Sequence, residues 1–415
     1  MDSSDKNKVM LGCENLLKNH LPEIQKKKVG LITNQTGVDH RLRSIVDLFQ
    51  ENPDIDLVAL FAPEHGVKGD AQAGHSVPFS RDGKYDLPIH SLYGQSVEAN
   101  SQSDLDLDQR MRSFDTIEDG KMPDSSMIEN VDVMVFDLQD VGTRIYTYIA
   151  TMAYCMRVCS EMGIEFVVLD RPNPINGLSM EGPVLEYPEF SSFVGVYPIP
   201  VRHGMTVGEL ALMFNELYLP NKAVLTVIPM RGWVRTMWFD QTGLAWVPPS
   251  PNMPSLQTAT VYPGQVFLEG TNISEGRGTA TPFELFGAPW IKGAELAGHL
   301  NRLALPGVSF HGTLFTPSFS KFKNILCEGV KLQVENRQTF QPYYTTLHVI
   351  QLVKEMYPDK FDFHKEYFDK IAGSSSVRQS LEKNIPASEI AHNSFPQIQA
   401  FSQKRESFLL YGNAD

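Results

Sequence analysis

Cysteine is scarce. Cys13, Cys155, Cys159 and Cys327 are the only four in 415 residues, and no two form a CxxC pair. That argues against a disulfide scaffold or a thiolate zinc site and for buried free thiols, Cys155 and Cys159 standing at a helical i,i+4 spacing. Positive charge is short as well: Lys and Arg number 36 against 49 Asp and Glu, and no basic run exceeds Lys26-Lys27-Lys28. At a formal charge of −13, polyanion binding is not the main task and no nucleic-acid partner is expected. No apolar stretch reaches the ~20 residues that span a bilayer, so no membrane span is expected. The first ten residues, MDSSDKNKVM, are polar where a secretory signal would be apolar. A soluble chain is expected, although a polar start also remains when a signal peptide has been removed.

Compact metal-ligand motifs such as HExxH are missing, so no metal is expected. The glycine fingerprint of dinucleotide sites is missing too: Thr33 to Gly37 reads TNQTG, and Gly276-Arg277-Gly278 is not followed by the Lys-Ser/Thr of a phosphate loop. No cofactor is expected.

What is present is ordinary globular composition, 42% hydrophobic and 10% aromatic. A chain of 415 residues exceeds what one core usually serves, so two domains are expected. Val29–Thr33, Leu57–Ala62, Val131–Leu138, Glu165–Leu169 and Val224–Ile228 read as strands, and Val266–Glu269 as a last one. Helices are expected over Arg41–Gln50 and Ile145–Met162, and after Thr206, where Glu209 completes a capping-box spacing. This is an α/β class chain with a mostly parallel sheet. From about Trp290 the pattern changes to a smaller α+β domain, giving expected domains 1–289 and 290–415. Glu98 to Asp108 reads as an acidic, solvated insertion.

The strand Leu57–Ala62 stops at Pro63, which cannot donate to a sheet ladder, and delivers Glu64, His65 and Gly66 to the loop at its carboxyl end. In open α/β sheets that rim is where ligands bind. A carboxylate beside an imidazole can move a proton or hold a metal, while the same pair also serves as a plain turn. Two later strands end similarly, in Gln139-Asp140-Val141-Gly142-Thr143-Arg144 and in Asp170-Arg171-Pro172-Asn173. Parallel topology would gather these loops into one crevice. Trp233, Trp238, Trp246 and the proline-rich Pro248–Pro254 form an aromatic, rigid stretch suited to a pocket wall or simply to core.

The stretches VGLITNQTGVD, LFAPEHGVKGD, FDLQDVGTRIYTY, LDRPNPI, PVRHGMT, PPSPNMP and EGTNISEGRGTATPFELFGAPW, in this order over residues 29 to 290, resemble the exo-β-N-acetylmuramidase family. Its members are peptidoglycan-salvage glycosidases long catalogued as a domain of unknown function. The resemblance implies a Rossmann-like domain plus an auxiliary domain with the cleft between them. It further implies release of N-acetylmuramic acid from non-reducing ends, with the glutamate of the PEHG motif, Glu64 here, as catalytic carboxylate. The partner is then a peptidoglycan-derived sugar. Because that substrate lies outside the cytoplasm, a periplasmic or secreted location is expected.

Glycoside hydrolysis calls for a second group: a nucleophile, a base that activates water, or the substrate's own acetamido oxygen. Asp137, Asp140, Asp170, Glu181, Glu269 and Glu275 are candidates, with Asp140 favoured because it lies beyond its strand's end. The lactyl carboxylate of muramic acid calls for a guanidinium, and Arg144, Arg171, Arg202 and Arg277 all lie in matched motifs. His65 and His203 are candidates to hydrogen-bond the sugar, Asn34 and Asn252 to bind its hydroxyl or acetamido groups. Two other readings remain: a metal hydrolase using Glu64, His65, His75 and Asp137, and a cell-wall-fragment binding protein without turnover.

Overall fold

The computed structural model describes residues 8–69, 71, 79–92 and 122–413. His75 and the insertion Glu98–Asp108 lie outside them. The first strands are β1 (Lys28–Thr33), β2 (Asp56–Ala62), β3 (Ser80–Arg81), β4 (Pro88–Ser91), β5 (Val133–Asp137) and β6 (Glu165–Leu169). They are followed by β7 (Glu181–Val184), β8 (Pro200–Arg202), β9 (Leu225–Ile228), β10 (Leu285–Ala288), β11 (Val308–Phe315) and β12 (Cys327–Val334). One sheet runs β3-β4-β2-β1-β5-β6-β9, parallel except for the short edge strand β3. Its order reverses between β1 and β5, where Thr33 pairs with Asp137.

Alternation along the strands sends side chains to two covered faces. Ile32, Phe61, Met134, Phe136 and Phe166 join the core beneath the helices Tyr148–Met162 and Val207–Leu217. Leu31, Leu60, Val133, Val135 and Val167 face the other way, against Leu11, Leu16, Ile45 and Phe49. This is the doubly wound arrangement that near-continuous apolar strands require. The capping box before Val207 forms as expected, Thr206 Oγ1 accepting from Glu209 N at 3.3 Å and Glu209 Oε2 from Thr206 N at 3.0 Å. Cys13, Cys155, Cys159 and Cys327 are buried free thiols.

Three expectations change. The helix expected from Arg41 begins only at Ile45, because Leu42 is left-handed at φ 62° and the Ser44 hydroxyl caps the amide of Val46 at 3.2 Å. The run Val266–Glu269 is not a strand but a 3-10 turn, Val266–Gly270, continuing the helix Leu256–Gln265. Its side chains are buried all round, a pattern in which periodicity cannot separate strand from helix. The division expected at 289/290 falls inside the second unit, since β10 pairs with β12 in the antiparallel sheet β10-β12-β11. The helix Leu256–Gln265 also belongs there, packed on the helix Pro342–Met356. The contact is so close at Gly264 that a Cβ would lie 1.9 Å from the Pro342 carbonyl oxygen.

Candidate active site

Beyond β2 the chain turns sharply: His65 and Gly66 both adopt left-handed backbone, at φ 75° and 79°, a conformation that is natural only for the glycine. His65 Nδ1 lies 2.7 Å from the Ala71 carbonyl oxygen, which folds the loop back on itself. The turn leaves Glu64 on the wall of a cleft with about 470 Å3 of space between its atoms, open solvent included. On the near side stand Glu64, His65, Tyr146, Thr147, Ser250 and Asn252. Tyr262, Glu269, Arg277, Phe283 and Tyr367 come from the second unit. The cleft therefore lies between the two units.

Glu64 is 4% exposed and accepts a hydrogen bond on Oε2 from the Thr147 hydroxyl at 2.7 Å. Opposite it, Arg277 donates from Nε to Glu269 Oε1 at 2.5 Å and approaches Glu275 at 3.6 Å through the same nitrogen. Burial opposes its charge, but Glu269 and Glu275 more than offset this and raise the guanidinium above its ordinary value. Glu269 Oε2 takes the Tyr367 hydroxyl at 3.1 Å, so each of its oxygens has a donor. Burial, reinforced by Glu269, keeps the Tyr367 phenol protonated well above its usual range. Lys321 completes the support, donating to Glu275 at 3.0 Å and to the carbonyls of Leu268 and Ile273. Although burial pushes Glu275 up, Lys321 and Arg277 hold its carboxyl below the ordinary value.

Of the residues expected in the site, Glu64, His65, Asn252 and Arg277 line this cleft. The other six do not. Asp140 is set back, receiving the Gly142 amide on Oδ2 at 2.7 Å with His203 Nε2 3.5 Å away. His203 is fully buried and accepts the Met205 amide on Nδ1 at 3.2 Å. Asn34 accepts from both Thr36 donors and gives its amide to Tyr148 Oη at 2.7 Å; Tyr148 in turn holds the Pro249 carbonyl.

Three of the four arginines turn out to be internal clamps. Arg171 forks onto Asp137 at 2.6 and 2.8 Å, and Asp137 overcomes burial to keep the guanidinium charged. Arg202 pairs with Glu181 at 2.8 Å and reaches the Ile175 carbonyl. Among the described residues no carboxylate pairs with Arg144. It donates at 3.0 Å to the carbonyls of Ile371 and Ala372, the last turn of the helix Lys365–Ala372, and burial pulls its guanidinium down to about 9.

The crevice at the strand-order reversal, the usual ligand site of such sheets, is lined by Leu11, Gln139, Arg171, Phe239 and Leu244, and Arg171 is held there by the buried Asp137. The single crevice expected of the three loops is not what forms: Glu64 and His65 after β2 line the cleft, whereas Gln139 after β5 and Arg171 after β6 line the crevice at the reversal. None of the three tryptophans lines the cleft. Trp233 packs on Tyr411 and Trp246 on Phe239, while Trp238 lies under Arg202 and Arg337. Among the described residues no three of His, Cys, Asp and Glu are grouped to hold a metal ion.

Sequence reasoning missed Tyr146, Thr147, Ser250, Tyr262, Phe283 and Tyr367. The first two lie within the matched FDLQDVGTRIYTY, where a residue-by-residue reading picks out charged groups and passes over hydroxyls. Tyr367 sits on an amphipathic helix of the C-terminal unit with no local mark of function.

The chain is similar to the peptidoglycan β-N-acetylmuramidase NamZ of Bacillus subtilis strain 168, at 47% identity over 410 residues, 99% of this chain and 93% of the relative. A crystal structure of a DUF1343 family protein from Bacteroides fragilis superimposes with a TM-score of 0.86 at 35% identity, covering 98% of this chain and all of that one. A second from the same organism gives 0.76 at 29% identity, covering 98% and 99%. Models of the N-terminal and C-terminal parts of the exo-β-N-acetylmuramidase NamZ match residues 29–257 and 260–411, meeting just where the helix Leu256–Gln265 begins the second unit, and the chain belongs to that family.

Proposed function

We infer that this protein is an exo-acting glycoside hydrolase releasing N-acetylmuramic acid from the non-reducing end of peptidoglycan fragments such as MurNAc-β-1,4-GlcNAc. The observation that carries this reading is the pairing, across one cleft, of the buried carboxyl of Glu64 with the guanidinium of Arg277. Glu64 is the proton donor: its proton passes to the glycosidic oxygen as the C1–O bond breaks, and water supplies the hydroxyl that ends on C1. Arg277 is the one expected arginine in the cleft. Its hydrogen bond to Glu269 and its approach to Glu275 both use Nε, which leaves the Nη edge to fork onto the lactyl carboxylate.

The sequence-based choice of Asp140 as second catalytic group has less support, because Asp140 does not line the cleft. Glu269 does, but with both oxygens occupied it holds Arg277 rather than attacking a sugar. The attack on C1 then falls to water or to the sugar's acetamido oxygen, and the anomer first released, read by NMR, separates these routes. A substrate of cell-wall origin supports a periplasmic or secreted protein.

The test is incubation of the protein and of Glu64→Gln with MurNAc-β-1,4-GlcNAc, following free MurNAc by mass spectrometry. Release is expected from the wild type and a ~10²–10⁴-fold loss in the variant. Equal release by both removes Glu64 from the chemistry. Binding without release by either favours a fragment-binding protein.

A further inference from the structure

We infer that Thr147 is a positioning residue that fixes the orientation of the Glu64 carboxyl; the inference rests on the glycosidase reading. Thr147 stands at the N-cap of the helix Tyr148–Met162 and, like Ser375 and Ser394 at the starts of theirs, caps no amide of its own helix, in contrast to three other hydroxyl caps. Ser44, Thr206 and Ser255 each turn the side-chain oxygen back onto an amide of their own helix, at 3.2, 3.3 and 3.1 Å. Their backbones are extended, which is what brings the hydroxyl over the first turn. Thr147 is instead helical at φ −73° and ψ −9° and makes no side-chain cap bond. Its hydroxyl goes to Glu64 Oε2, 83 residues away in sequence. A helix thus forgoes a cap, and the hydroxyl serves the cleft.

The two partners also differ in rigidity. Glu64 rides on a loop that leaves β2 through two left-handed residues. Thr147 is tied at its carbonyl by the amide and the hydroxyl of Thr151, at 2.9 and 3.2 Å, and begins a helix with eleven buried residues. The helix end therefore sets where the loop carboxyl points. The bond has a second consequence. With Oε2 accepting from Thr147, the carboxylate left after proton transfer stays in place to receive a proton from water.

Thr147→Val keeps the shape and removes the donor, whereas Thr147→Ser keeps the hydroxyl. Both are made alone and together with Glu64→Gln, and MurNAc release and thermal unfolding are measured. Valine is expected to lower kcat ~10–100-fold with KM within about twofold, and serine to stay within about threefold of wild type. In the Glu64→Gln background valine is expected to cause no further loss, because the group it positions is gone. Wild-type kcat in Thr147→Val, equal losses in valine and serine, or a full further loss on top of Glu64→Gln would each overturn the inference. Should the wild type release no MurNAc, the glycosidase reading fails. Crystal structures of the two variants then decide: rotation of the Glu64 carboxyl in valine but not in serine supports positioning, and an unmoved carboxyl in both overturns it.

Discussion

Replacing Arg277 by lysine separates recognition of the lactyl group from support of the fold. The Arg277 side chain is 11% exposed between Glu269 and Glu275, at 10% and 2%. Removing its charge outright would leave buried carboxylates short of a cation, a change that costs about 3–5 kcal/mol and would blur any kinetic reading. Lysine keeps a cation beside both acids and loses the planar two-donor edge. A hydrogen bond between charged groups contributes about 1.5–3 kcal/mol, so losing one of the pair lowers kcat/KM on MurNAc-β-1,4-GlcNAc ~10–100-fold. On GlcNAc-β-1,4-GlcNAc, which has no lactyl group, the same variant is expected to change kcat/KM by no more than about twofold. Steady-state kinetics on both disaccharides, with a melting curve to show the fold intact, give the selectivity ratio. If kcat/KM falls equally on the two, Arg277 shapes the cleft without reading the carboxylate, and the assignment is refuted.

Two other consequences can be measured through stability. Asp170 is fully buried, and burial pushes its carboxyl up to about 7 despite donors from Tyr411, Gly208 and Thr206. Since the folded chain then holds a proton that the unfolded chain releases near pH 4, this group's contribution to stability is full below that pH. It falls as the pH rises to about 7, by on the order of 4 kcal/mol. Urea unfolding midpoints between pH 5 and 8 should show the decline, and Asp170→Asn should lose that share of the slope; an unchanged slope in the variant assigns it to other groups. Arg144→Met strips two carbonyls of their charged donor and is expected to destabilise by about 2–4 kcal/mol in denaturant titration with an unaltered KM. A raised KM at full stability would return Arg144 to the substrate.

Backbone order was legible in the sequence where hydrophobic runs were long and bounded. The five expected strands from Val29 to Ile228 and the Thr206–Glu209 capping box are all present, because burial on both faces and a local cap leave a local mark. The carboxylate at the end of β2 was legible for the same reason: a proline ended the strand beside a Glu-His pair. The roles of Arg171, Arg202 and Asp140 were not. A charged residue at a strand's end looks alike whether it faces a cleft or an internal partner, and the partners Asp137, Glu181 and His203 are fixed by tertiary packing. The opposite wall was legible only in part: Glu269 and Arg277 lie in one matched motif, whereas Tyr262 and Tyr367 come to them from helices outside it.

Arg144 bears on how the molecule is made. The guanidinium lies 227 and 228 residues ahead of the two carbonyls it caps, and the helix it caps carries Tyr367 on the far wall. Contacts of such sequence separation carry a large loop-closure entropy and form late. Neither half of a nascent chain therefore presents a finished cleft. The cleft has its far wall complete only once the helix that carries Tyr367 has been made and docked.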